Sequence, residues 1–197
     1  MRLEAVPASL PSVRVAVTVT FLRLEQFDRV TRPLPAGAGV LTVERCTVPF
    51  YRFLYGTVGA AYVWWLRRSL DDAAIASILA DPAVSIHVLY QDAQPAGFFE
   101  LDRRAAQAHA GHTVNLSYFG LTPHVTGQGL GTPFLHAAIR AAVAEGARAV
   151  TVNTCTADHP RALPGYLAAG FRAVRSVREV WEVPRYLGLP IPDHLRL

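Results

Sequence analysis

Apolar positions along this chain recur with two periods, and the switches between them mark its elements. Residues 14–24, RVAVTVTFLRL, alternate and are rich in β-branched side chains, which predicts a strand. Residues 25–48, with TRPLPAGAG inside, read as a loop. Aromatic side chains crowd residues 50–65, FYRFLYGTVGAAYVWW, where the period is ambiguous. Ser69, followed three residues on by Asp72, opens SLDDAAIASILAD in the manner of a capping box, so a short helix is expected up to Asp81-Pro82. VSIHVLYQ and AGFFELDR then flank DAQP, which predicts a β-hairpin.

A polar break leads to a further strand, HTVNLSYFGLTP (112–123), and then to VTGQGLGTPFLHAAIRAAV (125–143). Here Phe134, Leu135, Ala138, Ile139, Ala142 and Val143 share one face of a helix over about 130–145. Pro133 sits in its first turn, where a missing N–H does no harm. RAVTVNTC (148–155) reads as a central strand and HPRALPGYLAAG as a short helix closed by a left-handed cap at Gly170. REVWEV (178–183) is the last predicted strand, with residues 1–12 and 184–197 as extended tails. The order strand, helical region, hairpin, strand, helix, strand, helix, strand predicts an α/β layer with a mixed sheet.

Composition narrows the function. A length of 197 residues suits one well-filled core, and 51% hydrophobic against 17% charged residues excludes a disordered chain. The positive charges are all arginine, so no lysine nucleophile or Schiff base is available. A net charge of +4 suits an anionic ligand, but the arginines occur as singles and pairs (Arg67-Arg68, Arg103-Arg104) and form no stripe for nucleic acid. Cys46 and Cys155 lie too far apart to suggest a disulfide framework, and a cytoplasmic setting is expected. The most hydrophobic run, VGAAYVWWL (58–66), is half the length of a membrane span, so no membrane partner is expected.

Glycines at 127, 129 and 131 pose the chemical question, because glycine costs backbone entropy. A Walker loop fails for want of lysine. A dinucleotide fingerprint fails because Thr132 stands where its third glycine belongs. What fits is a strand, G-x-G-x-G and a helix, whose main-chain N–H groups and helix terminus can cradle a pyrophosphate. A tight glycine-rich turn that merely caps the helix fits the same letters.

Taken together, YFGLTPHVTGQGLGTPFL, the spaced segment VNTCTADHPRALPGYLAAGF and the hairpin IHVLYQDAQPAGFFEL resemble the GCN5-related N-acetyltransferases (GNAT), which bind acetyl-coenzyme A. The resemblance covers residues 14–183, and TCTADHPRALPGYLAAGF is similar to a bacterial branch with mostly unassigned substrates. It implies a single-domain α/β GNAT fold: a mixed, mostly antiparallel central sheet, helices on both faces, and splayed fourth and fifth strands. It implies an N-acetyltransferase that moves acetyl from acetyl-CoA, as co-substrate and without a metal, to a primary amine of a small molecule or protein in a ternary complex. Homodimers are common among the proteins it resembles. The alternative is an acyl-CoA-binding module with impaired catalysis, suggested by Thr126 in place of Gln or Arg and by Asn115 in place of a strand-four glutamate.

The resemblance also assigns residues. Thr126, Gly127, Gln128, Gly129, Leu130, Gly131 and Thr132 would hold the diphosphate, Leu121 and Thr122 the pantetheine beside a bulge at Gly120, with His159 donating to the arm. Tyr166 matches the tyrosine that protonates the leaving sulfur. Glu100, a carboxylate among apolar neighbours in FFELD, is the candidate base or else the ion-pair partner of an arginine. Tyr51, Tyr55, Tyr62 and Trp64 are candidate walls of the acceptor pocket. Cys155, Asp158 and His159 lack metal spacing, and Cys155 reads as a small buried hydrophobe. His87, His112, His124 and His136 are expected at solvent or at the sheet edge.

Overall fold

A computed structural model describes residues 11–104 and 112–197. The expectations for residues 1–10 and for the polar break at 105–111 lie outside them. β1 (Ser12–Leu24) alternates in two stretches: Val15, Val17 and Val19 are buried in one cluster, and beyond them the buried positions switch face to Leu22 and Leu24, which join another. A short strand, β2 (Ala38–Thr42), interrupts the predicted loop, because GVLT after the proline-glycine run has an edge of β3 to pair with. The aromatic stretch resolves into α1 (Val48–Val58): Tyr51, Leu54, Tyr55 and Val58 fall on one face and are buried. The next helix, α2 (Asp72–Ala80), is capped by Asp71 rather than Ser69; the Asp71 carboxylate accepts the Ala74 amide at 2.8 Å.

The hairpin is β3 (Val84–Gln91) and β4 (Gln94–Asp102), joined by Asp92 and Ala93, both at positive φ as a two-residue primed turn requires. Then follow β5 (Thr113–Leu121), α3 (Gly131–Ala144), β6 (Ala149–Cys155), α4 (Ala162–Ala168) and β7 (Arg172–Pro184). Gly170 has φ 101°, the left-handed cap expected after α4. Val143 is exposed, at the margin of the α3 stripe rather than within it. His87 and His136 are buried, contrary to expectation: His87 stacks on Phe99, and His136 Nδ1 accepts the Arg32 amide at 3.0 Å.

All strands join one seven-stranded sheet of order β2-β3-β4-β5-β6-β1-β7. Neighbours run antiparallel except β5 and β6, which are parallel. The first strand therefore lies between the last two. α1 and α2 cover one face over Ile86, Val88 and Phe98, and α3 and α4 cover the other over Phe99, Leu101 and Leu116. A third cluster forms where the C-terminal segment docks on β1: Ile191 and Leu195 pack with Val15, Val17 and Val19. The predicted C-terminal tail is thus a packed element, and Arg196 bridges Val15.

Candidate functional site

The site begins where β5 and β6 part. They pair from Thr113↔Ala149 to Leu116↔Val152 and no further. On the other side of β5, register shifts between Glu100↔Tyr118 and Leu101↔Leu116, which makes Ser117 the bulged residue rather than Gly120. A bulge bends its strand and sharpens local twist, so Ser117 turns the end of β5 away from β6. Gly120 serves close packing instead: a Cβ there would lie 2.5 Å from Val58 Cγ1. The divergence leaves a cleft of about 950 Å³, walled by Ser117 to Leu121, Val152 to Cys155, the glycine turn and the aromatic segment after α1.

Leu121 lines this cleft, but Thr122 does not. The Thr122 amide and hydroxyl both donate to the Ala96 carbonyl, at 2.9 and 3.0 Å, and the residue is buried. Its place is a structural corner, which corrects the expectation of a ligand contact from its N–H.

The glycine turn follows. Gly127 (φ 87°) and Gly129 (φ 82°) occupy the left-handed region that side-chain-bearing residues avoid. Ideal Cβ atoms at 127, 129 and 131 would meet nothing within 4 Å, so these positions face open space. The Thr126 and Gln128 amides are used within the turn, on Pro123 and Val125 carbonyls at 3.3 Å. The amides of Gly127, Gly129, Leu130, Gly131 and Thr132 have no acceptor among the described residues. They lead into the N-terminus of α3, whose dipole favours an anion. The Thr126 hydroxyl donates to Thr122 and the Gln128 amide group to His124, while Leu130 points into the core. Main chain, rather than side chains, is what this turn presents.

Across the cleft, α4 places Tyr166 against Phe119 and Phe171. Burial, and then the charge of Asp158, push its phenol pKa up, so it keeps its proton through the neutral range. The same two causes push the Cys155 thiol up to about 12, which leaves it unreactive. Asp158 is a hub that sequence reasoning weighed only as a poor metal ligand. Its Oδ2 accepts from Thr154 Oγ1 (2.7 Å) and the Cys155 amide (2.8 Å), and its Oδ1 from Trp64 Nε1 (3.2 Å). His159 uses Nδ1 to accept the Arg161 amide at 3.0 Å, a local cap, while its ring meets Tyr62 edge-on at the cleft.

The far wall is aromatic: Tyr55, Tyr62, Trp64, Tyr118 and Trp181. Tyr51 is not part of it. Its hydroxyl is buried and donates to Glu100 Oε2 at 2.6 Å. Glu100, fully buried, also takes a 2.7 Å ion pair from Arg67, whose guanidinium lies over the Tyr118 ring and lines the cleft. Burial works to lower the Arg67 pKa, but Glu100 and neighbouring tyrosines outweigh it and hold the guanidinium charged. Arg67 and Tyr118 were missed by sequence reasoning. Half of an Arg-Arg pair reads as solvated surface until a tertiary partner is seen.

With this geometry in view, comparisons add kinship. The model of the "Acetyltransferase (GNAT) family" matches residues 50–171, more than half of the chain. A GCN5-related N-acetyltransferase from Kribbella flavida superposes with a TM-score of 0.59 at 18% identity, over 90% of this chain and 63% of its own. A conserved protein of unknown function from Staphylococcus epidermidis gives 0.58 at 16% identity, over 87% of this chain and 62% of its own. An aminoglycoside acetyltransferase from an uncultured soil metagenomic sample, solved with trehalose, gives 0.56 at 14%, over 68% and 88%. At such identities the likeness shows the fold alone, and this chain spans under two thirds of the first two. A search of the curated proteins finds no match. No helix among the described residues is long and apolar enough to cross a membrane.

Proposed function

Because this chain belongs to the acetyltransferase (GNAT) family, we propose that it moves an acetyl group from acetyl-CoA to a primary amine by direct attack in a ternary complex. The observation that carries this is the row of unengaged amides at Gly127, Gly129, Leu130, Gly131 and Thr132, opening onto the cleft between β5 and β6. A cradle of that kind suits a diphosphate, and the unpaired end of β5 beside it suits the amide-bearing arm of coenzyme A. Acetyl-CoA, when bound, supplies an activated thioester whose C–S bond gives way as the C–N bond forms.

The chain's own residues then have distinct tasks. Tyr166 holds a proton on its buried phenol and gives it to the departing sulfur. Asp158, on the cleft wall beside Trp64, accepts a hydrogen bond from an N–H of the neutral acceptor amine and orients it toward the reacting end. Tyr55, Tyr62, Trp64 and Tyr118 exclude water around the acceptor and give its body an apolar seat. Glu100, closed in by Arg67 and Tyr51, acts on position: it fixes the guanidinium in the wall. An amine that enters neutral passes its surplus proton to cleft water after attack.

Thiol release from acetyl-CoA over a panel of primary amines tests the reading. Wild type turns over with at least one amine, and Tyr166→Phe lowers kcat by about a hundredfold or more with cofactor affinity unchanged. Unchanged turnover in Tyr166→Phe would remove the tyrosine from the chemistry. Binding of acetyl-CoA without thiol release to any amine would leave a binding module.

A further inference from the structure

Next to the aromatic wall of the cleft lies a second, smaller cavity of about 330 Å³. Tyr51, Arg52, Tyr55 and Gly56 of α1 line it, with Arg67 and Arg68 and with Tyr186 and Leu187 from the turn after β7. Tyr55 and Arg67 line the cleft as well, so the two spaces share a wall.

Three guanidiniums border this cavity, and two of them are paired. Arg67 meets Glu100 at 2.7 Å, and Arg52 meets Asp72 at 2.7 Å. Arg68 has no carboxylate partner among the described residues. Its Nη2 donates to the Gly56 carbonyl at 2.9 Å, which holds the guanidinium against the last turn of α1. Its Nε is shut away from solvent with no acceptor, and Nη1 has none among the described residues. Buried donors are satisfied as a rule, so an orphan in a cavity wall asks for a partner. The inner tyrosines do not supply one: the Tyr51 hydroxyl serves Glu100 and Arg67, and that of Tyr55 accepts the Arg67 amide at 3.3 Å. The cavity thus offers one uncompensated positive charge among aromatic and aliphatic walls.

Gly56 leaves part of that wall bare. Glycine weakens a helix interior, and packing does not demand it here, since an ideal Cβ would come no nearer than 4.0 Å to Arg68 Nη2. A longer side chain would enter the cavity.

We propose that this cavity is a carboxylate site, which takes an organic monoanion with a flat apolar body on Arg68. A guanidinium presents its N–H groups in a plane that matches a carboxylate. One net positive charge balances one carboxylate, whereas a phosphate dianion would leave a charge unpaired in a partly enclosed space. The tyrosine rings and Leu187 then face the body of the ligand rather than water. The site is separate from the glycine turn, so it does not depend on acetyl transfer.

Calorimetric titration of benzoate into the whole chain tests this, with benzamide as the uncharged probe of the same shape and the melting transition as folding control. Wild type binds benzoate, and it binds benzamide about tenfold more weakly or worse, as the loss of a charge-assisted hydrogen bond requires. Arg68→Gln weakens benzoate by a similar factor, and Gly56→Leu, which fills the cavity, removes it. No benzoate binding to wild type at millimolar concentration overturns the proposal. So does equal binding of benzoate and benzamide, or benzoate binding that either folded variant leaves unchanged. Such a carboxylate can arrive on the amine acceptor or on a separate acid, and thiol release with para-aminomethylbenzoate and with benzylamine separates the two. If the acceptor carries it, Arg68→Gln raises KM about tenfold for the first amine alone; if a separate acid does, neither KM moves.

Discussion

A carboxylate with no exposure at all needs partners, and Glu100 has two, Arg67 and Tyr51. Removing one partner of a buried pair leaves a charge that burial penalises more than the pair itself gains. Arg67→Met is therefore expected to lower unfolding free energy by about 3–5 kcal/mol. Replacing both, as Arg67→Met with Glu100→Met, should recover most of that loss. Urea denaturation of the single and double variants measures it; equal losses in both would mean that packing, not charge, governs the site. The sequence showed Glu100 as a carboxylate in an apolar run but offered both a base and an ion pair as its meaning. What separates these is Arg67 arriving from 33 residues away, and local pattern carries no such distance. The left-handed glycine turn and the place of Tyr166 on the cleft wall were legible because their spacing is local: the motif and the geometry sit on the same few residues.

Elements whose pattern is local were read well: the hairpin, α3 and β6 appear where periodicity places them. β2 and most of β7 were not, because their faces are exposed and alternation is weak when neither side is core. The bulge was placed at a glycine, the usual suspect, whereas Ser117 carries it. Gly120 has a different necessity, the approach of α1 to β5. Gly120→Ala should force Val58 and the end of α1 outward, at about 1–3 kcal/mol. Val58→Ala in the same chain should relieve the clash, so the double variant is more stable than additivity allows. Thermal melts of the four proteins test this, and strict additivity would show that α1 does not press on β5 there.

At the scale of the whole molecule, what the sequence could not convey is order in space. Nothing in RVAVTVTFLRL says that it inserts between the last two strands, a placement set by contacts more than 120 residues apart. That placement, together with the Ser117 bulge and the short parallel pairing of β5 with β6, opens the cleft between the glycine turn and α4. Glycine at 129 keeps the turn left-handed and its amides bare, so a large side chain there should fill the cradle and leave the core untouched. The most direct measurement is calorimetric titration of acetyl-CoA into wild type and Gly129→Trp, each first checked for an intact melting transition. The account predicts binding to the wild type and none to the folded variant; no binding to the wild type at millimolar ligand, or equal binding to both, would contradict it.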